Sequence, residues 1–241
     1  MKFVDSHVHL TDYGQLSSVL EYCRASETLL LSASIDRASS VRNLELGLQH
    51  ANLVQPFVGV HPSEAEKAGS TGWLEEAVTS ARGVGEVGLD PRYSPVGKGS
   101  QQVNLLMLQL GLAESAAKPV QIHTRGAIEA CFDFLSSYGL RRVLLHWFEG
   151  EELAGFAASR GYYVSIGPAL LRSKKVARIA TAYPKDLLLT ESDGPVSFAA
   201  LEGAGGPYLM PTVVFYLAKQ KGLDFWDMAS IVAENGEAFL T

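Results

Sequence analysis

Short apolar runs rich in β-branched residues alternate along this chain with longer stretches of helical periodicity, from one end to the other. Eight runs read as strands, at 3–9, 28–33, 55–60, 83–89, 119–123, 143–146, 162–166 and 186–190. Between them the apolar positions recur every three or four residues, at 15–25, 39–51, 73–81, 101–117, 128–138, 151–159 and 174–182. Two further helical stretches, 210–221 and 225–235, follow the last strand. Eight strand–helix units in 241 residues match an α/β closed parallel barrel, the (β/α)8 TIM barrel, whereas an open doubly wound sheet usually has fewer strands. No linker or shift in composition divides the chain, so residues 1–241 are expected to form one domain. The Gly203-Ala204-Gly205-Gly206-Pro207 stretch follows strand eight and is expected to be a loop at the barrel mouth.

That architecture gives scattered residues a common address, because the C-terminal ends of barrel strands converge on one mouth. His7 and His9 end strand one, and residues two apart on a strand leave the same face. Glu86 lies late in strand four, His123 ends strand five, His146 ends strand six and Asp193 follows strand eight. With Val8, Ile122 and Leu145 facing the helices, the neighbouring histidines face inward. Four imidazoles and two carboxylates exceed the need of one tetrahedral zinc, and a pair of divalent ions bridged by a carboxylate uses them all. A carboxylate buried in the apolar, glycine-flanked strand four would be costly without a cation. Asp5 shares the inward parity one layer deeper and Glu191 precedes Asp193; both suit the orientation of ligands rather than ligation.

Other signals reduce to structure. Gly83-Val84-Gly85-Glu86-Val87-Gly88 spells a dinucleotide-binding fingerprint, but its glycines lie within the strand instead of following it, and Asp90-Pro91-Arg92 stands where a helix should open. These glycines are better suited to close approach by neighbouring strands and metals. His50 ends a helix and is read as structural.

The formal charge of −6 argues against a broad basic surface while leaving room for a local phosphate pocket. Two cysteines, Cys23 and Cys131, both on helical stretches, read as buried fillers in a reducing compartment. Met1 runs almost directly into the first strand and no apolar stretch is long enough to span a bilayer, so a cytoplasmic protein without membrane partners is expected.

The chain resembles the TatD-type metal-dependent hydrolases and deoxyribonucleases of the amidohydrolase superfamily. The likeness rests on Asp5-Ser6-His7-Val8-His9, Gly59-Val60-His61-Pro62, Gly85-Glu86-Val87-Gly88-Leu89-Asp90, 109–113, Ile122-His123-Thr124-Arg125, His146-Trp147-Phe148-Glu149-Gly150 and Glu191-Ser192-Asp193. The resemblance implies a first metal held by His7, His9 and Asp193, a second held by His123 and His146, and Glu86 bridging. It also implies hydrolysis of phosphate esters, including DNA ends or small nucleic acids in a 3′-5′ exonuclease-like manner, with Asp193 orienting or deprotonating the attacking water. Two divalent ions, Mg²⁺, Mn²⁺ or Zn²⁺, suit such ligands, as would Fe²⁺. Around them His61 is expected to hydrogen-bond a substrate oxygen, Arg125 to offer a planar fork to a phosphate, Trp147 to stack on a base and Arg92 to reach the same anion. The alternatives are an ester or amide hydrolase, such as a deacylase of mischarged tRNA, and a non-catalytic metal binder. The chain departs from the family pattern at Asp193-Gly194-Pro195-Val196, where an alanine or serine commonly precedes the proline. It departs again at Gly205-Gly206-Pro207, and Glu149 adds negative charge near the mouth. These changes bear on the substrate rim, not on the metal ligands.

Overall fold

In a computed structural model, which describes residues 2–198 and 203–241, the eight expected strands form one parallel sheet in sequential order. They are β1 (Phe3–Val8), β2 (Thr28–Ser32), β3 (Val54–Val58), β4 (Gly83–Gly88), β5 (Val120–His123), β6 (Val143–Leu145), β7 (Tyr163–Ile166) and β8 (Leu188–Thr190). β8 returns beside β1, where Thr190 Oγ1 donates to the Val4 carbonyl at 2.5 Å and the Asp193 N–H to the His7 carbonyl at 3.0 Å. The result is a nearly closed (β/α)8 barrel. Helices α1 (Leu16–Ala25), α2 (Arg37–Gln49), α3 (Trp73–Ser80), α4 (Gln101–Ser115), α5 (Ile128–Leu135), α6 (Ala154–Ser159) and α7 (Lys174–Ala182) connect successive strands. α8 (Met210–Lys221) and α9 (Phe225–Leu240) follow β8. Among the described residues no helix is long and apolar enough to cross a membrane.

The main core lies between strands and helices, with Val4, Phe57, Val84, Val120, Leu144 and Val164 all fully buried. The glycines of β4 serve that packing. A Cβ on Gly83 would lie 2.1 Å from the Phe57 ring, and Gly88, at φ 155°, approaches the His123 carbonyl so closely that a Cβ would meet its oxygen at 2.0 Å. α9 runs past its expected end at residue 235 because Gly236 lets the helix lie against Val4.

Element ends differ from the periodicity by a few residues, for identifiable reasons. β3 stops at Val58 rather than at residue 60 because Gln109 of α4 takes over the backbone of Val60. Its Oε1 accepts the Val60 N–H at 2.7 Å and its Nε2 donates to the Val60 carbonyl at 3.2 Å. β8 starts at Leu188 because residues 185–187 form a short 3-10 turn, with the Lys185 and Leu188 carbonyls both bound at 2.8 Å by Asn235 Nδ2. Within the segment expected to be a loop, Gly203–Ala204 (β10) pairs antiparallel with Ser197–Phe198 (β9). The residues joining them, 199–202, lie outside the described residues.

Candidate metal centre

All six strand-end residues meet at the C-terminal mouth, and Glu86 stands at their centre. Its two oxygens face different imidazoles. Oε1 lies 2.6 Å from His123 Nδ1 and 2.8 Å from His146 Nε2, while Oε2 lies 3.3 Å from both His7 Nε2 and His9 Nε2. Asp193 Oδ1 completes the second side, 3.7 Å from His7 Nε2 and 3.5 Å from His9 Nε2. Three overlapping sets, His7–His9–Glu86, His7–His146–Asp193 and His61–Glu86–His123, each offer ligand atoms within 4.8 Å of one another.

The donor set fits divalent cations. Both ring nitrogens of His7 are buried without a hydrogen-bond partner, and its Nε2 faces Glu86 and Asp193. Buried polar atoms are rarely left so, and nitrogen donors turned toward carboxylates have use for a cation between them. Without one, protons supply the positive charge. Burial opposes a charge on His9, but Asp193 and Glu86 push its pKa up to about 10. Burial likewise opposes charge on His146, whose pKa Glu86 and Glu191 nevertheless hold well above the usual imidazole range. His7 stacks on His146 with ring centroids 3.9 Å apart; burial and the His146 charge both depress it. Glu86 resists the upward push of burial because His146, His61, His7 and His123 surround it, and its pKa lies well below normal. Asp193 is lowered too, against burial, by His9.

These directions carry a test. His9, pushed up to about 10, carries a proton at pH 8 in the cation-free protein, and His146 is shifted in the same direction, so a metal must displace protons to reach these nitrogens. Metal uptake at that pH is expected to release protons, with apparent affinity rising as pH rises. Titration calorimetry in buffers of different ionisation enthalpy reads this directly, and a buffer-independent heat would contradict it.

Outer carboxylates hold two of the imidazoles. His123 Nε2 lies 3.0 Å from Asp90 Oδ2, leaving Nδ1 toward Glu86. Glu191 Oε2 lies 3.4 Å from His146 Nδ1 and accepts from Ser165 Oγ at 2.7 Å, while its Oε1 accepts the Trp147 N–H at 2.8 Å. A carboxylate behind an imidazole fixes its ring and raises its basicity. Glu191, two residues before Asp193, lies beside His146. Asp90 was not singled out; it follows β4 by two residues, and an acid beyond a ligand strand was the available signal. Asp5 acts differently from an imidazole partner. Its oxygens accept the Ser192 N–H at 2.8 Å and the Ser192 hydroxyl at 2.5 Å, anchoring the turn that presents Asp193, and burial pushes its pKa up to about 8. Asp193 itself has φ 50° and Trp147 has φ 45°, a left-handed conformation uncommon outside glycine and found disproportionately at functional sites.

The remaining residues divide. His61 lies nearer the centre than a substrate contact requires, with Nε2 3.6 Å from Glu86 Oε1 and 3.4 Å from His123 Nδ1. Its Nδ1 accepts the Ser63 N–H at 3.1 Å, so the neutral ring carries its proton on Nε2, and burial lowers its pKa to about 4. Arg125 and Trp147 line a cavity of about 490 Å³ that opens on His123, His146 and Asp193 and is also bordered by Glu149, Lys175 and Val196. Arg92 is exposed on the loop after β4 and does not line that cavity; its N–H donates to Asp90 Oδ1 at 2.9 Å. The glycine at position 194 has a steric cause, since a Cβ there would fall 2.0 Å from Tyr13 Oη and 2.7 Å from the Gly205 carbonyl. Tyr13 in turn donates to that carbonyl at 3.0 Å, so the two departures from the family pattern are one packing unit.

Comparison with known proteins gives consistent results. The family profile described as TatD related DNase matches residues 4–241. A human protein named deoxyribonuclease TATDN3 is 27% identical over 96% of this chain and 92% of its own length. The Escherichia coli metal-dependent hydrolase YcfH, named as uncharacterised, is 30% identical over 98% of this chain and 94% of its own. Among solved structures, the E. coli TatD homologue YJJV superposes with a TM-score of 0.86 at 22% identity, covering 99% of this chain and 97% of that one.

Proposed function

The chain belongs to the family of TatD-related DNases, and from that membership we infer that it is a metal-dependent hydrolase acting on phosphodiester bonds. We propose that two divalent ions occupy the mouth, one held by His7, His9 and Asp193 and the other by His123 and His146, with Glu86 shared. One observation carries the reading: the two oxygens of a single buried carboxylate turn toward two separate groups of imidazoles. When bound, such ions acidify water and neutralise phosphoryl oxygens.

The protein's own groups supply the rest. Asp193, which lines the cavity, orients the attacking water and accepts its proton. His61 donates its Nε2–H toward an oxygen of the reacting phosphate, a role its bond from Ser63 enforces. Arg125 presents its guanidinium fork from the cavity wall to a phosphate oxygen, and Trp147 offers a face to an adjoining base or ring. Asp90 and Glu191 hold the imidazoles of His123 and His146 in position. Arg92, off the cavity, is assigned only a peripheral contact with the anion.

The test is a substrate panel on protein reconstituted in turn with Mg²⁺, Mn²⁺ and Zn²⁺, containing single-stranded DNA, an aryl phosphodiester, a phosphomonoester and an aminoacyl ester. Metal-dependent cleavage of the phosphodiesters is expected. Cleavage of the acyl ester alone would transfer the same site to a different reaction.

A further inference from the structure

The opposite end of the barrel carries a second concentration of chemistry, built where three neighbouring strands begin. Arg82 directly precedes β4, Lys118 lies just ahead of β5, and Arg141 and Arg142 precede β6. The register sets Val84 beside Val120 and Val120 beside Val143, so these four cations stand side by side. Lys118, Arg141 and Arg142 line a cavity of about 390 Å³ together with Gly139 and Leu140.

Among the described residues none of the four forms an ion pair. Lysine and arginine ion pairs among the described residues are Lys2–Glu27, Arg42–Glu45, Lys67–Glu64 and Arg178–Glu151, and none of the four cations takes part. Glu114, the one acid in the cavity wall among the described residues, accepts the Gly139 N–H at Oε1 and offsets one of the four positive charges, leaving a local excess of three. In a chain of net charge −6, four adjacent unpaired cations are a local reversal. Burial and mutual repulsion register in the same place: the pKa of Lys118 is lowered by burial and then by Arg82 and Arg142, that of Arg142 by burial and then by Arg82 and Arg141.

Two of the cations are fixed by the backbone. Lys118 Nζ donates to the Ala81 carbonyl at 2.7 Å, and Arg142 Nη2 to the Ala117 carbonyl at 2.5 Å. Ala81 is the C-cap of α3 and Ala117 directly follows that of α4, next to helix ends where a positive charge is favourable. Capping uses part of the donor supply only: a guanidinium has five N–H donors and an ammonium three. Arg82 and Arg141 are exposed and cap nothing. A site with fixed forks, spare donors and uncompensated like charge is one in which a polyvalent anion relieves repulsion as it binds.

We propose that this face is a second anion site, remote from the metal centre, that binds a ligand carrying two or more linked phosphates. The chemistry is shared by a free oligophosphate and by a stretch of nucleic-acid backbone.

The experiment titrates the full-length, chelator-treated protein at low salt with inorganic pyrophosphate in one arm and a short single-stranded oligonucleotide in the other. Saturable binding of pyrophosphate is expected, weakened about five-fold by Arg82→Ala and again by Arg141→Ala, and falling with ionic strength. Arg42→Ala, an exposed arginine on α2 paired with Glu45, should leave it unchanged, and melting by circular dichroism should show both exposed-arginine variants folded. Oligonucleotide binding with the same sensitivity identifies the source as nucleic-acid backbone; binding of pyrophosphate alone identifies an oligophosphate. Failure of the wild type to bind pyrophosphate, or binding that the double variant retains, overturns the proposal and leaves Lys118 and Arg142 as backbone caps beside two solvated arginines.

Discussion

Glu86→Ala is expected to remove both metal content and hydrolysis while leaving the barrel folded. Glu86 is 2% exposed and, among the described residues, is the one carboxylate in contact range of His7, His9, His61, His123 and His146. Truncating it removes the shared ligand from both sides. Outer-sphere partners of metal ligands already matter 10- to 100-fold, so loss of a group shared by two ions should exceed about 100-fold in affinity and in kcat/KM. The fold should survive, since the core between strands and helices is apolar and untouched. Elemental analysis of the purified variant, beside its circular dichroism spectrum, reads both halves. A variant that keeps two equivalents of metal would contradict the shared-carboxylate geometry.

Asp193→Asn is the sharper chemical test, because the amide keeps the shape and one ligating oxygen yet cannot accept a proton. If Asp193 takes the proton of the attacking water, kcat should fall by about 10²–10⁴-fold, the range of a positioned general base, with KM nearly unchanged. The turn should hold its form, as it is fixed by Asp5 on Ser192 and by the Asp193 N–H on the His7 carbonyl, neither of which involves the altered side chain. A rise in KM with kcat preserved would make Asp193 a binding group only.

Much of this was legible in the sequence because a barrel turns a linear rule into a spatial one. A polar residue at the end of an inward-facing register must point into the mouth, so the alternation around Val8, Ile122 and Leu145 located His7, His9, His123 and His146 without knowledge of their partners. What escaped depends on contacts between distant parts of the chain. Gln109 ends β3 from a helix about fifty residues away, and Asp90 reaches His123 from a neighbouring strand. The proximity of His61 to Glu86 reflects how the chain turns after β3, which periodicity does not encode. Gly194 looked like a change in the substrate rim, yet its immediate reason is the Tyr13 hydroxyl, a residue from the other end of the chain.

The central claim is that one buried carboxylate is shared by two cations. Anomalous scattering from crystals soaked in manganese measures it directly. The account predicts two peaks flanking Glu86, one bounded by His7, His9 and Asp193 and the other by His123 and His146. A single peak away from Glu86, or none at saturating manganese, would contradict it.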